Sequence, residues 1–274
     1  ALNIHNPAGT IYSFENNILK AGGKPKKDDP SVPDGTLFED WAWSGDVICF
    51  YDAVTVEKVA QARVVSHEIK DGFNVMELTD VEGEIKAGLK MANSAYYAAT
   101  EIRNCSVMGS RARGMVLQTE NILVENSRFC NISSQGILVS CNTTNWGEMG
   151  PTNNAVIRNN LFCNNGVNRN DKSAAGISVS TNDGKFCVDK VNHSNVHKNV
   201  TIEGNRFVNL KDAAIFADAV NGITIKDNEM INCCFDIEDR REEFAYNTVL
   251  FNCENIVYEN NRIIGDETRE INIE

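Results

Sequence analysis

The chain has 274 residues, 42% of them hydrophobic and 23% charged, enough apolar content for a continuous core and not the composition of a disordered chain. Its formal net charge is −12 and its pI about 4.9. An acidic surface repels phosphate backbones and anionic lipid, which argues against nucleic-acid and membrane-surface partners and favours a neutral substrate.

The first residues, Ala1-Leu-Asn-Ile-His-Asn6, alternate like a β-strand. With no initiator Met and no signal-peptide pattern, the chain reads as one that begins inside a fold, after processing or by truncation. Residues 7–99 follow a different pattern. A charged, Pro-bearing loop over Pro25–Gly35 precedes short alternating runs at Asp46–Tyr51, Ala62–Ser66 and Phe73–Leu78. These predict a small inserted antiparallel β-barrel or sandwich.

From residue 100 to 274 one unit recurs. It appears as Glu101-Ile-Arg-Asn-Cys-Ser-Val107, Ile122-Leu-Val-Glu-Asn-Ser-Arg-Phe129 and Val156-Ile-Arg-Asn-Asn-Leu-Phe162. It returns at Val200–Phe207, Ile223–Met230 and Ile256–Ile263. The final apolar residue advances from 107 to 129, 162, 207, 230 and 263, so a coil of about 22 residues is the base period and longer steps carry insertions. Alternation gives each copy a strand with one face inward. The Asn-Asn or Asp-Asn corner supplies a turn, because Asn tolerates left-handed backbone angles, and stacked corners place the amides in a ladder. The fold class is therefore all-β, a right-handed parallel β-helix (solenoid) with an inserted small β domain. The competing antiparallel sandwich would show hairpin turns in place of a constant corner.

A second strand follows each corner, at Arg113–Thr119, Gln135–Cys141, Ala175–Thr181, Ala213–Ala219 and Cys233–Asp239. Met115, Ile137, Ile177, Ile215 and Phe235 are expected to point inward, with Leu117, Val139, Val179, Ala217 and Ile237. The outward positions then form a column, one residue per coil: His5, Gln118, Ser140, Ser180, Asp218 and Glu238. Coils about 4.8 Å apart would space these groups like the hydroxyls along a sugar. The plain alternative is that outward residues are polar because they face water.

The loop after Cys141 reads Asn142-Thr-Thr-Asn-Trp-Gly-Glu-Met-Gly-Pro151. An indole face stacks on sugar rings and a carboxyl serves as general acid or base, which singles out Trp146 and Glu148. They could equally plug a loop and cap a backbone N–H. Arg111 and Arg113 stand at the start of an outward strand, placed to hold a carboxylate charged or to bind substrate oxygens. Nine cysteines form no matched C-x-x-C pairs, so zinc is not expected; buried thiols stacked as small hydrophobes are the first reading and disulfides the second. The N-x-S/T sequons at Asn104, Asn131, Asn142, Asn192 and Asn199 can arise from Asn-rich composition alone. No stretch is long and apolar enough to span a bilayer.

The order Leu-Asn-Ile-His-Asn, an inserted β domain, Arg111-Ala-Arg-Gly-Met-Val-Leu-Gln-Thr119 and then Trp146-Gly-Glu-Met-Gly150 resembles the α-1,3-galactosidases among the glycoside hydrolases, across most of the chain. The resemblance implies a β-helix with inserted β-barrels that hydrolyses terminal α-1,3-linked galactose with inversion and without cofactor or metal. It implies an acidic cluster of Asp residues just before the Asn-x-His strand plus the Glu of the Trp-x-Glu loop. Only Glu148 has a counterpart here; the Asp positions would precede Ala1. Inversion needs two carboxyls roughly 6.5–9.5 Å apart, and Asp218, Glu238 or Asp183 would have to complete the pair. Asn3, His5, Gln118, Ser140, Asn142 and Ser180, with Trp146, Arg111 and Arg113, are then the substrate-binding set. The expected partner is an oligosaccharide or polysaccharide, the expected setting secreted, periplasmic or cell-surface, and a homo-oligomer stays open. The alternatives are a lyase or epimerase acting on uronic acids, which wants basic residues and calcium, and a non-catalytic glycan-binding β-helix.

Overall fold

The computed structural model describes residues 2–143, 147–166, 175–181, 195–235 and 242–274. The chain divides into two compact units, one of Ala1–His5, Ala99–Cys141 and Pro151–Glu274, the other of Asn6–Ala98 and Asn142–Gly150. Among the described residues, helical structure is limited to three-residue 3₁₀ turns such as Glu39–Trp41 and Ser94–Tyr96.

The first unit consists of three all-parallel sheets. The first sheet runs Leu2–Ile4, Met115–Leu117, Ile137–Cys141, Ala175–Thr181, Ala213–Asp218, Thr248–Phe251 and Ile271–Ile273. The second holds Thr100–Arg103, Ile122–Glu125, Asn153–Arg158, His197–Glu203, Val220–Lys226 and Glu254–Glu259. The third holds Ser106–Met108, Arg128–Cys130, Leu161–Cys163, Arg206–Val208, Glu229–Ile231 and Arg262–Ile264. From Met115 onward the chain visits the three in rotation, and each circuit adds one strand to each sheet. The unit is a parallel β-solenoid, with the coil stack that the repeat predicts.

The corner between the second and third sheets shows why Asn-Asn recurs. Asn104, Asn126, Asn159, Asp227 and Asn260 take left-handed φ values of 53° to 56°, and Gly204 takes 62° in the same place. The turn drives the next side chain inward. There Asn160, Asn205, Asn228 and Asn261 form a ladder: the Oδ1 of Asn205 accepts from the backbone N–H of Asn160 at 3.0 Å, and that of Asn228 from Asn205 at 2.9 Å. Each Nδ2 donates to a carbonyl of the coil before, Asn205 to Ile157 at 2.8 Å and Asn228 to Ile202 at 2.9 Å. The ladder satisfies backbone groups that a buried corner would otherwise strand.

Beside the ladder, Phe129, Phe162 and Phe207 stack at centroid distances of 5.0 and 4.9 Å, all fully buried. Their rings lie where Gly136 and Gly176 leave space: a Cβ on Gly136 would stand 2.7 Å from both the Gly176 carbonyl and Phe162. On the second sheet, Arg103, Glu125, Arg158, Glu203, Lys226 and Glu259 fall in one register line, alternating in charge from coil to coil. Glu125, 6% exposed, takes ion pairs from Arg103 and, at 2.7 Å, Arg158. On the third sheet Cys130 and Cys163 are register partners and form a disulfide, so the reading of stacked reduced thiols fails at this pair. Burial pushes the Cys233, Cys234 and Cys253 thiols up to about 12; Cys187 lies outside the described residues.

One strand differs from the sequence expectation. The strand that stacks on Ala213–Asp218 is Thr248–Phe251, pairing Ile215 with Thr248 and Ala217 with Leu250, and not Cys233–Asp239. Phe235, expected inward, is 49% exposed, and Ile237 lies outside the described residues. Both segments alternate; the inward aliphatic of Leu250 against Ala217 decides between them, and the insertion falls before the strand.

The second unit is a closed six-stranded barrel in the order Gly9–Glu15, Ile18–Gly22, Phe73–Gly83, Lys58–Lys70, Val47–Tyr51 and Lys90–Asn93, with Lys90–Asn93 closing back on Gly9–Glu15. Its core includes Ile11, Leu19, Trp41, Ile48, Phe50, Met76 and Met91. The first hairpin turns at Asn16 and Asn17, both with positive φ, which suits a two-residue turn of matching twist.

Candidate active site

The first sheet carries the predicted column. Asn3 pairs with Val116 and Ile4 with Leu117, which sets His5 beside Gln118 one residue on. Leu117 pairs with Val139, which continues the line to Ser140. Ser140 pairs with Ser180 directly, and Val179 with Ala217, which leads to Asp218. The line then meets Phe251, the partner of Asp218, where the sequence placed Glu238; Glu238 itself lies outside the described residues. Phe251 stands thirteen residues after Glu238, the residue that the sequence pattern expects at this end.

The column is not a solvated face. His5 is exposed, but Gln118, Ser140, Ser180 and Asp218 are 3%, 1%, 0% and 0% exposed. Strand alternation points these side chains away from the coil interior, yet this sheet is buried on both faces: Leu138, Ser178, Phe216 and Val249 of the neighbouring outward line are buried too. Three successive coils leave a buried polar atom without a hydrogen-bond partner, at Gln118 Oε1, Ser140 Oγ and Ser180 Oγ. Burying such groups unpaired costs about 1–3 kcal/mol each. At the end of the line the Thr181 hydroxyl donates to Asp218 Oδ2 at 3.3 Å, an orienting contact that sequence reading missed.

Glu148 belongs to the second unit. Its backbone forms bridges with Pro7 and Asn142, and the N–H of Asn142 donates to its carbonyl at 3.0 Å. On either side, Ala8 N–H donates to Gly147 O at 2.7 Å and Met149 N–H to Asn6 O at 2.9 Å. Met149 is fully buried and Gly147 has a φ of +62°, so the segment is anchored while the Glu148 side chain stays partly exposed. Trp146 and Asp183 lie outside the described residues. Asn142 is buried and held by its backbone.

Of the arginines, Arg111 is exposed, and Arg113 donates from Nε to Gln135 Oε1 at 3.2 Å. Asn3 is exposed, in the outward line beside the column. Among the described residues no group of three His, Cys, Asp or Glu side chains is placed to hold a metal ion, and no helix is long and apolar enough to cross a membrane.

No protein-family model matches the chain. Named relatives do. An α-1,3-galactosidase B of Bacteroides thetaiotaomicron is 27% identical over 236 residues, 83% of this chain and 36% of its own length. The chain resembles the α-1,3-galactosidases. An α-1,3-galactosidase B of Akkermansia muciniphila is 28% identical over 82% of this chain and 28% of its own, and an α-1,3-galactosidase A of Bacteroides thetaiotaomicron 30% identical over 81% and 37%. The chain thus spans about a third of the length of these relatives. Among solved structures, the tailspike protein gp49 from Pseudomonas phage LKA1 aligns with 83% of this chain and 39% of its own at a TM-score of 0.26 and 9% identity, too distant to bear on the fold.

Proposed function

We propose that the chain is part of a glycoside hydrolase that removes terminal α-1,3-linked galactose with inversion, on a solenoid of right-handed coils. The observation that carries this reading is the buried line of Gln118, Ser140 and Ser180, each with an unpartnered polar atom, ending at Asp218. Sugar hydroxyls fit such groups, and a site built to hydrogen-bond a hydroxyl rejects analogues that lack it. The relatives' names supply the linkage. Asp218, oriented by Thr181, is assigned a carboxyl role, and Glu148 is carried as a second candidate by the resemblance of its Trp-x-Glu loop alone. Gln118, Ser140 and Ser180 are assigned to substrate hydroxyls, and Asn3, His5, Arg111, Arg113 and Asn142 stay candidates on the sequence pattern alone. The disulfide supports an oxidising setting, secreted, periplasmic or cell-surface.

The test is galactose release from an α-1,3-galactosyl disaccharide by the intact protein, followed by proton NMR. β-Galactose is expected as the first-formed anomer. Asp218→Asn and Glu148→Gln are each expected to lower kcat at least about a hundredfold while the fold is kept. Unchanged turnover in either variant removes that residue from the mechanism, and α-galactose as the first product overturns inversion.

A further inference from the structure

The barrel carries an aromatic patch with no part in the reading above. Phe38, Trp43 and Tyr96 are 48%, 61% and 37% exposed. A mobile surface loop would account for one bare indole; this segment is clamped. Trp41, two residues before Trp43, is fully buried and donates from Nε1 to the Pro7 carbonyl at 2.9 Å. Ala42 is extended, with φ −144° and ψ 139°, so the chain sends Trp41 into the core and Trp43 outward.

Buried Asn93 fixes the rest. Its Nδ2 donates to the Trp41 carbonyl at 2.9 Å and to Asp46 Oδ2 at 2.8 Å, and its Oδ1 caps the turn that bears Tyr96 through Ala95 N–H. The same Asp46 oxygen accepts from Trp43 N–H at 2.9 Å. Tyr96 donates to the Asp40 carbonyl at 2.6 Å, and its ring lies 6.3 Å from that of Phe38. Burial, with the charges of Asp46 and Asp40, holds the Tyr96 hydroxyl above its ordinary range.

We propose that Phe38, Trp43 and Tyr96 form a carbohydrate-binding platform on the barrel, for a neutral glycan chain. Aromatic faces stack on the C–H faces of pyranose rings, and the carboxylates of Asp40 and Asp46 accept from their hydroxyl rims. The two acids, on a chain of net charge −12, exclude uronates, phosphates and anionic lipid. The platform would hold a polymer near the protein whatever reaction the protein performs, so it does not rest on the proposed hydrolysis.

Affinity electrophoresis of the intact protein through galactomannan and through mixed-linkage β-glucan tests it. Retardation by at least one polymer is expected, weakened about fivefold or more by Trp43→Ala and by Phe38→Ala and largely retained by Trp43→Phe, with melting temperatures unchanged. Retardation by neither polymer overturns the proposal, as does equal retardation of wild type and both alanine variants. If the alanine variants instead abolish a concentration-dependent self-association in sedimentation, the patch is a protein interface and the proposal falls.

Discussion

Asn205 illustrates how much one side chain can do in a buried corner. Its Oδ1 serves the Asn160 backbone and its Nδ2 serves the Ile157 carbonyl, one coil away. Asn205→Ala leaves a donor and an acceptor buried and unpaired, and about 2–4 kcal/mol should be lost in chemical denaturation. Asn261→Ala, at the partly exposed last rung, should cost clearly less. Equal losses would mean that burial of the ladder does not set its worth. The same contrast separates Asn205 from Gln118, which is just as buried but leaves Oε1 unpaired. One polar residue is engaged with the backbone, and the other leaves an oxygen without a partner.

At the scale of single strands, close approach governs. Gly136 sits where any Cβ meets the next coil's backbone and the Phe162 ring. Gly136→Ala is therefore expected to lower stability by about 1–3 kcal/mol, read as a drop in melting temperature; an unchanged melting temperature would show that the coils separate without cost. The repeat made the coils, the inward aliphatics and the Asn ladder legible, because each coil solves the same packing problem with the same residues. The strand at Thr248–Phe251 was not legible. Cys233–Asp239 alternates as well, and only stacking on Ile215 and Ala217 distinguishes them. The short alternating runs leave barrel and sandwich open for the inserted segment, and the pairing of Thr10 with Lys90 across most of it decides for the barrel. Of the site, the line from His5 to Asp218 followed from register, whereas its burial and its ending at Phe251 did not, because alternation says which way a side chain points and not what covers it.

For the molecule as a whole, acidification should tell through the charge line of the second sheet. The hydrogen bond from Arg158 and the charges of Arg103 and Arg158 hold the Glu125 carboxyl below the usual carboxylate range. A depressed folded value stabilises at pH above the unfolded value and is lost as pH falls through the folded one. Glu125→Gln should thus lower the melting temperature at neutral pH and flatten its decline below about pH 4.5; parallel curves for the two proteins would show that Glu125 does not contribute. Raised salt should narrow the difference only partly, because Glu125 is buried while its partners are not. The alternation itself carries a further consequence. A coil docked one step out of place would set arginine on arginine and glutamate on glutamate, whereas a two-step error would pass unnoticed. The six residues act as a parity check on assembly, able to detect odd errors only, and the unequal coil lengths are left to catch the even ones.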